Sequence, residues 1–176
     1  MHNNSRLILL ALVFLVAGCA AQIKNPQSVT TKVERHYDEF TKVITYWGPG
    51  IDRRGNLSKF ELTKLRAVRH EKSNNLSFSL FIYDAYDGEA RFYESAYDQD
   101  GNRLAISRLD IKIYGCSRLY HCTYSEYLRM DLSLDYLRRH ENKGMKFQIR
   151  GEKGSAVIEV PGLYIKGFLA ALPEIN

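Results

Sequence analysis

LSFSLFIYDAYDGEARFYESAYDQDGNRLAI, residues 76–106, carries two Asp-Gly pairs, Asp87-Gly88 and Asp100-Gly101, between runs in which apolar and polar residues alternate. Asp-Gly favours a two-residue hairpin turn, because both central residues of a type I′ turn need positive φ. Reading each pair that way makes the stretch a three-stranded meander. Ile82 then faces Tyr93 and Phe78 faces Tyr97 in the first hairpin, while Tyr97 faces Leu104 and Ser95 faces Ile106 in the second. Leu76, Phe78, Leu80, Ile82, Tyr93, Tyr97, Leu104 and Ile106 share one face, since side chains alternate along a strand. Phe81, Tyr83 and Phe92 fall on the other. Under a second layer they are core; exposed, they form an aromatic platform for a peptide, sugar or lipid.

Strand signals continue on both sides of this stretch. They run from Val33 through FTKVITYW to the turn-like Gly48-Pro49-Gly50. SKFELTKLRAVRHEK reads as strand, turn, strand, with a helix over 58–72 as its rival because the alternation slips between Leu62 and Leu65. After Ile106 the apolar phase shifts to Leu109, Ile111 and Ile113, which predicts a bulge near Ser107-Arg108. Leu128, Met130 and Leu132 alternate with Arg129 and Asp131 as a further strand. To share a face with Ile111 and Ile113, these residues require either offset cysteines at 116 and 122 or a second bulge. SLDYLRRHENKG predicts a short helix near 133–143: Ser133 caps it, Asp135 sits in its first turn, Arg138, Arg139 and His140 lie near its end, and Gly144 follows. MKFQIRGEKGSAVIEV is a hairpin by alternation and glycine content. Pro161 opens a helix near 161–172, with Leu163, Phe168 and Leu172 on one side. The expected fold is mainly β, an antiparallel sandwich or strongly curved sheet of about eight strands with one or two short helices.

The 176 residues suit one domain, and 45% hydrophobic with 26% charged residues is the balance of a globular chain. A net charge of +5, scattered along the sequence, does not point to nucleic acid.

The N-terminus reads differently. MHNNSR carries one positive charge ahead of eleven apolar residues, Leu7 to Ala17. That run is too short to span a bilayer, which takes about 20, and it has the layout of an export signal. It ends in small residues and a cysteine, VAGC at 16–19. These four residues resemble the lipobox of bacterial lipoproteins. The resemblance implies that residues 1–18 are cleaved, that Cys19 is acylated and becomes the mature N-terminus, and that Ala20, standing where Asp would retain the protein at an inner membrane, directs it to the outer one. Residues 19–32 then form a lipidated tether, in which the dozen polar residues 20–31 reach at most about 40 Å when extended, and 33–176 form the folded domain. Cys116 and Cys122 remain as a pair in an oxidising compartment and are expected to form a disulfide. Their spacing is not C-x-x-C, and His121 lacks a fourth zinc ligand nearby.

Catalytic motifs are not evident. DQDGN, 98–102, starts like a calcium loop but lacks the third ligand and the downstream Glu. His36, His70, His121 and His140 lie in no metal or nucleophile motif and read as surface or turn residues. Asp84 and Asp87 read as carboxylates flanking a turn. No cofactor is expected. The expectation is a non-catalytic envelope protein, held at the periplasm-facing side of the outer membrane by its lipid and binding another envelope component. A small-ligand binder is the alternative, and an enzyme a third.

Overall fold

The structure is a computed structural model and describes residues 22–57, 63–73, 75–116 and 122–174. Ten strands and three short helices are described. Strands β1 (Glu34–Asp38), β2 (Val43–Trp47), β3 (Lys64–His70), β4 (Ser77–Gly88), β7 (Ile106–Tyr114) and β8 (Cys122–Leu132) form a six-stranded sheet in the order β1-β2-β3-β4-β8-β7. Strands β5 (Tyr93–Asp98), β6 (Arg103–Leu104), β9 (Met145–Gly151) and β10 (Gly154–Val160) form a four-stranded sheet, β10-β9-β5-β6. Every pairing is antiparallel. The mainly-β expectation holds, with ten strands in two sheets.

The inner face of the large sheet follows from period-two alternation. Ile44 and Tyr46, Leu65 and Ala67, Phe78, Leu80 and Ile82, and Leu128, Met130 and Leu132 are all buried. They share one core with Tyr93 and Ala96 of β5, Phe147 and Ile149 of β9, and Ile158 and Val160 of β10. Helix α2 (Leu134–His140) is capped as its sequence predicts, the Ser133 hydroxyl accepting from the Tyr136 amide. Helix α3 (Gly162–Ala170) buries Tyr164, Ile165 and Phe168, while Leu163 is exposed, so the core-facing side is turned from the predicted one. Tyr164 sets that turn: its hydroxyl accepts from the Leu65 amide at 3.1 Å and donates to the Pro49 carbonyl at 2.8 Å.

The expected meander is corrected in three ways. The Asp87-Gly88 pair does not fold β4 back on β5. Instead β4 runs twelve residues between β3 and β8, and the chain crosses at 89–92 into the other sheet, so Phe78 and Tyr97 belong to different sheets. The second hairpin exists, but its loop has three residues: Asp98 N–H bonds Asn102 O, Gly101 N–H bonds Asp98 O, and Gly101 takes φ +81°, which glycine adopts without strain. That extra residue slips the register by one, pairing Tyr97 with Arg103 and Ala96 with Leu104. Ile106 joins the large sheet opposite Met130 rather than facing Ser95. The bulge falls between Arg108 and Asp110, one residue past its predicted place.

Two buried carboxylates hold the crossover. Asp84 and Glu126 are cross-strand partners on β4 and β8, both fully buried. Glu126 accepts from the Phe92 and Tyr93 amides, each at 2.9 Å, and from the Tyr86 hydroxyl. Asp84 accepts from the Tyr93 hydroxyl at 2.6 Å and pairs with Arg91 at 3.3 Å and with Arg53. Two carboxylates side by side would repel, but two guanidiniums balance them and two backbone amides saturate Glu126. Burial first, and then the adjoining carboxylates, push the Tyr86 and Tyr93 hydroxyls well above their ordinary pKa.

Part of the expected tether is also folded. Helix α1 (Gln27–Thr30) packs on α3; Ile23 and Val29 are buried, and the Thr30 hydroxyl bonds the Gly167 carbonyl at 2.9 Å. Gly167 permits this contact, since a Cβ there would lie 2.3 Å from Pro26 O. Cys19 lies outside the described residues.

Candidate binding face

Alternation that buries one side of the six-stranded sheet turns the other side outward. There the strand registers line up Trp47, Arg66, Ser79 and Asp131 in one row across β2, β3, β4 and β8, and Lys64, Phe81 and Arg129 in the next. Tyr83 pairs with Tyr127 in a third. All are half-buried except Ser79, which is buried, and Asp131, which is exposed.

The rings touch. Trp47 meets Phe81 edge-to-face with centroids 5.0 Å apart, and Tyr83 meets Tyr127 at 4.7 Å. The Arg66 guanidinium lies over both Phe81, at 4.6 Å, and Trp47, at 5.5 Å, a cation–π arrangement on two rings. Lys112 approaches Tyr127 at 5.9 Å. Arg129 is spent differently: it pairs with Asp131 at 3.2 Å, and Asp131 also accepts from the Ser79 hydroxyl at 3.0 Å. Burial, with the Arg129 charge second, lowers the Arg66 pKa, and burial raises that of Tyr83.

Of the three expected platform residues, Phe81 and Tyr83 are on this face and Phe92 is not. Phe92 is exposed in the crossover at φ +51°, its amide held by the inward-facing Glu126 and its ring beside Arg108, which pairs with Leu128 of the core-facing row. The parity argument failed there because it assumed a hairpin where the chain changes sheets. Trp47, Arg66 and Tyr127 were missed. Their alternation in VITYW, KLRAVRH and YLRMDL is visible in sequence, but only the register β2-β3-β4-β8 makes them neighbours.

Other candidates resolve structurally. A disulfide joins Cys116 and Cys122; Tyr114 pairs with Thr123, so the cysteines are offset, one of the two arrangements the strand phase allowed. The Asp98 carboxylate accepts from the Asp100 and Asn102 amides, the Asn102 side chain and the Tyr136 hydroxyl, which makes DQDGN a turn. Asp84 and Asp87 do not flank a turn together: Asp84 points into the core and Asp87 is exposed, bonded to Thr123. His140, expected near the surface, is buried with Nδ1 2.7 Å from the Tyr136 carbonyl; His36 and His70 are exposed, and His121 lies outside the described residues. Among the described residues no group of three His, Cys, Asp or Glu side chains could hold a metal, and no helix is long and apolar enough to cross a membrane. The chain matches no protein family, no curated protein and no solved structure, and the outer face of the large sheet is its most developed candidate surface.

Proposed function

We propose that this chain is an exported lipoprotein, held by Cys19 at the periplasm-facing side of an outer membrane, and that it binds another envelope protein through the outer face of its six-stranded sheet without catalysing a reaction. One observation carries the binding reading: five contiguous half-buried side chains, Trp47, Arg66, Phe81, Tyr83 and Tyr127, occupy the middle of one sheet face. Scattered exposed apolar residues are ordinary, whereas Trp, Tyr, Phe and Arg gathered in one patch have the composition of an interface centre. The breadth of the patch, which spans four strands, supports a protein partner over a small ligand, which takes a concave site. The concavities around the described residues are open, as in the trough of about 470 Å³ bordered by Phe92, Ile106, Arg108 and Glu152. Export is supported by VAGC behind its short apolar run and by the Cys116–Cys122 disulfide, which suits an oxidising compartment.

The test is photo-crosslinking in the intact envelope, with the reactive side chain at Tyr83 and, as control, at Val157, which is exposed on β10 of the other sheet. A specific protein adduct from Tyr83 and none from Val157 is expected. Adducts from Val157 alone, or none from Tyr83, refute the binding face. Mass spectrometry of the same membranes should find an acylated peptide beginning at Cys19, and an intact N-terminus refutes the anchor.

A further inference from the structure

Arg66 is a cation held in place by two rings, with Asp131 acting on it only from a distance across the sheet. Its guanidinium is fixed over Phe81 and Trp47, and its Nε is shielded from water with no hydrogen-bond partner. Among the described residues no carboxylate pairs with it. Asp131, two strands along the same row, is committed to Arg129 and Ser79. Lys64, two residues before Arg66 on β3 and opposite Phe81, likewise makes no ion pair among the described residues. Three cations, Arg66, Arg129 and Lys64, thus surround Phe81 with one carboxylate between them.

An arginine used only for packing gains from its ring contacts but leaves its shielded Nε unmatched, at a cost in desolvation, while its half-exposed terminal nitrogens remain free to meet a ligand. Stacking also removes rotamer freedom in advance, so an incoming carboxylate meets a preorganised fork instead of ordering a flexible side chain. Lys64 extends the positive field along β3, and the Tyr83–Tyr127 pair supplies apolar area beside it.

We infer that Arg66, flanked by Lys64 and framed by Trp47 and Phe81, is an anion-binding site that receives an aspartate or glutamate carboxylate from an extended acidic segment of a protein partner. The inference rests on reading this face as the binding surface and names the chemistry of its centre. Charge complementarity argues for the carboxylate, and the aromatic frame argues for a peptide, whose neighbouring side chains can pack on the rings while its carboxylate meets the fork.

Trp47 is the only tryptophan in the chain, so its fluorescence reports on this site without labelling. The folded domain with its disulfide intact is titrated with the capped peptide acetyl-Leu-Glu-Leu-Glu-Leu-amide, with its lysine counterpart, and with vesicles of phosphatidylcholine containing phosphatidylglycerol. A saturable change with the acidic peptide alone is expected. Arg66→Gln should weaken it roughly tenfold or more, the loss of one charge-assisted pair, and Arg66→Lys should recover part of the affinity. Lys64→Gln, which leaves the stacked arginine in place, should weaken it less. No saturable response, equal affinity in Arg66→Gln, or a response to vesicles but not peptide overturns the inference, the last by making a membrane the occupant. Repeating the Tyr83 crosslink in Arg66→Gln separates the two readings. An unchanged adduct overturns the carboxylate site while the binding face stands, and a lost adduct in the folded variant supports both.

Discussion

Replacing Glu126 by Gln decides whether the paired carboxylates stabilise or strain the fold. Glu126 and Asp84 are direct cross-strand partners, fully buried, so removing one negative charge relieves a repulsion that low dielectric would strengthen. Against that stands the donor count. Glu126 Oε1 accepts from the Tyr86 hydroxyl and the Phe92 amide, and Oε2 from the Tyr93 amide at 2.9 Å. A glutamine keeps one oxygen and turns an NH₂ toward the donors of the other, so at least one buried N–H loses its acceptor, at about 1–3 kcal/mol. The surviving bonds lose their charge assistance, roughly half their strength. The cluster with Arg53 and Arg91 also goes from balanced to one net positive charge. Donors outnumber the repulsion relieved, and Glu126→Gln should destabilise by about 2–4 kcal/mol. Urea unfolding followed by Trp47 fluorescence and far-ultraviolet circular dichroism measures this, and hydrogen exchange should accelerate first at the Phe92 and Tyr93 amides. A variant as stable as the parent, or more so, refutes the reasoning and shows that the carboxylates strain the sheet.

Phe78 is 3% exposed between the sheets, so Phe78→Ala should cost about 3–5 kcal/mol; Phe81→Ala, on the half-open face, should cost less than half as much, and equal losses in urea unfolding would show that face to be covered. Burial, then the Asp98 charge, raises the Tyr136 pKa to about 12 from 10.0. A hydroxyl whose folded pKa is raised contributes stability in full below the unfolded value and loses it as pH climbs through the folded one. For Tyr136 this is about 3 kcal/mol, lost between about pH 10 and 12. Denaturation midpoints across that window should fall, and Tyr136→Phe should flatten the fall; an unchanged slope counts against the buried hydroxyl.

What could be read from the sequence was what depends on neighbours along the chain. The buried row Phe78, Leu80 and Ile82, the Ser133 cap, the β9–β10 hairpin and the bulge beyond Ser107 all follow from spacing, cap chemistry or phase. The Asp87-Gly88 turn failed because β4, already paired with the preceding β3, takes its other partner from β8 far along the chain, and Glu126 anchors the crossover. A warning was present: Asp84 and Tyr86 are in phase with Phe78, so their side chains had to point inward. The binding face was legible only in part for the same reason. Phe81 and Tyr83 lie within one strand, whereas Arg66 meets Trp47 and Phe81 only through a register spanning three strands.

The docking of α1 against α3 alters the mechanics of an anchor at Cys19. A free dozen residues would act as a leash of about 40 Å, letting the domain drift and tumble above the bilayer. With Ile23 already in the core, the four residue steps from Cys19 to Ile23 cover at most about 14 Å. A lipid at Cys19 is then less a leash than a swivel mounted under the α1–α3 end, fixing the height of the domain while leaving it free to spin. Under the anchor and binding face proposed above, a partner would then have to present its docking segment at a nearly fixed distance from the bilayer.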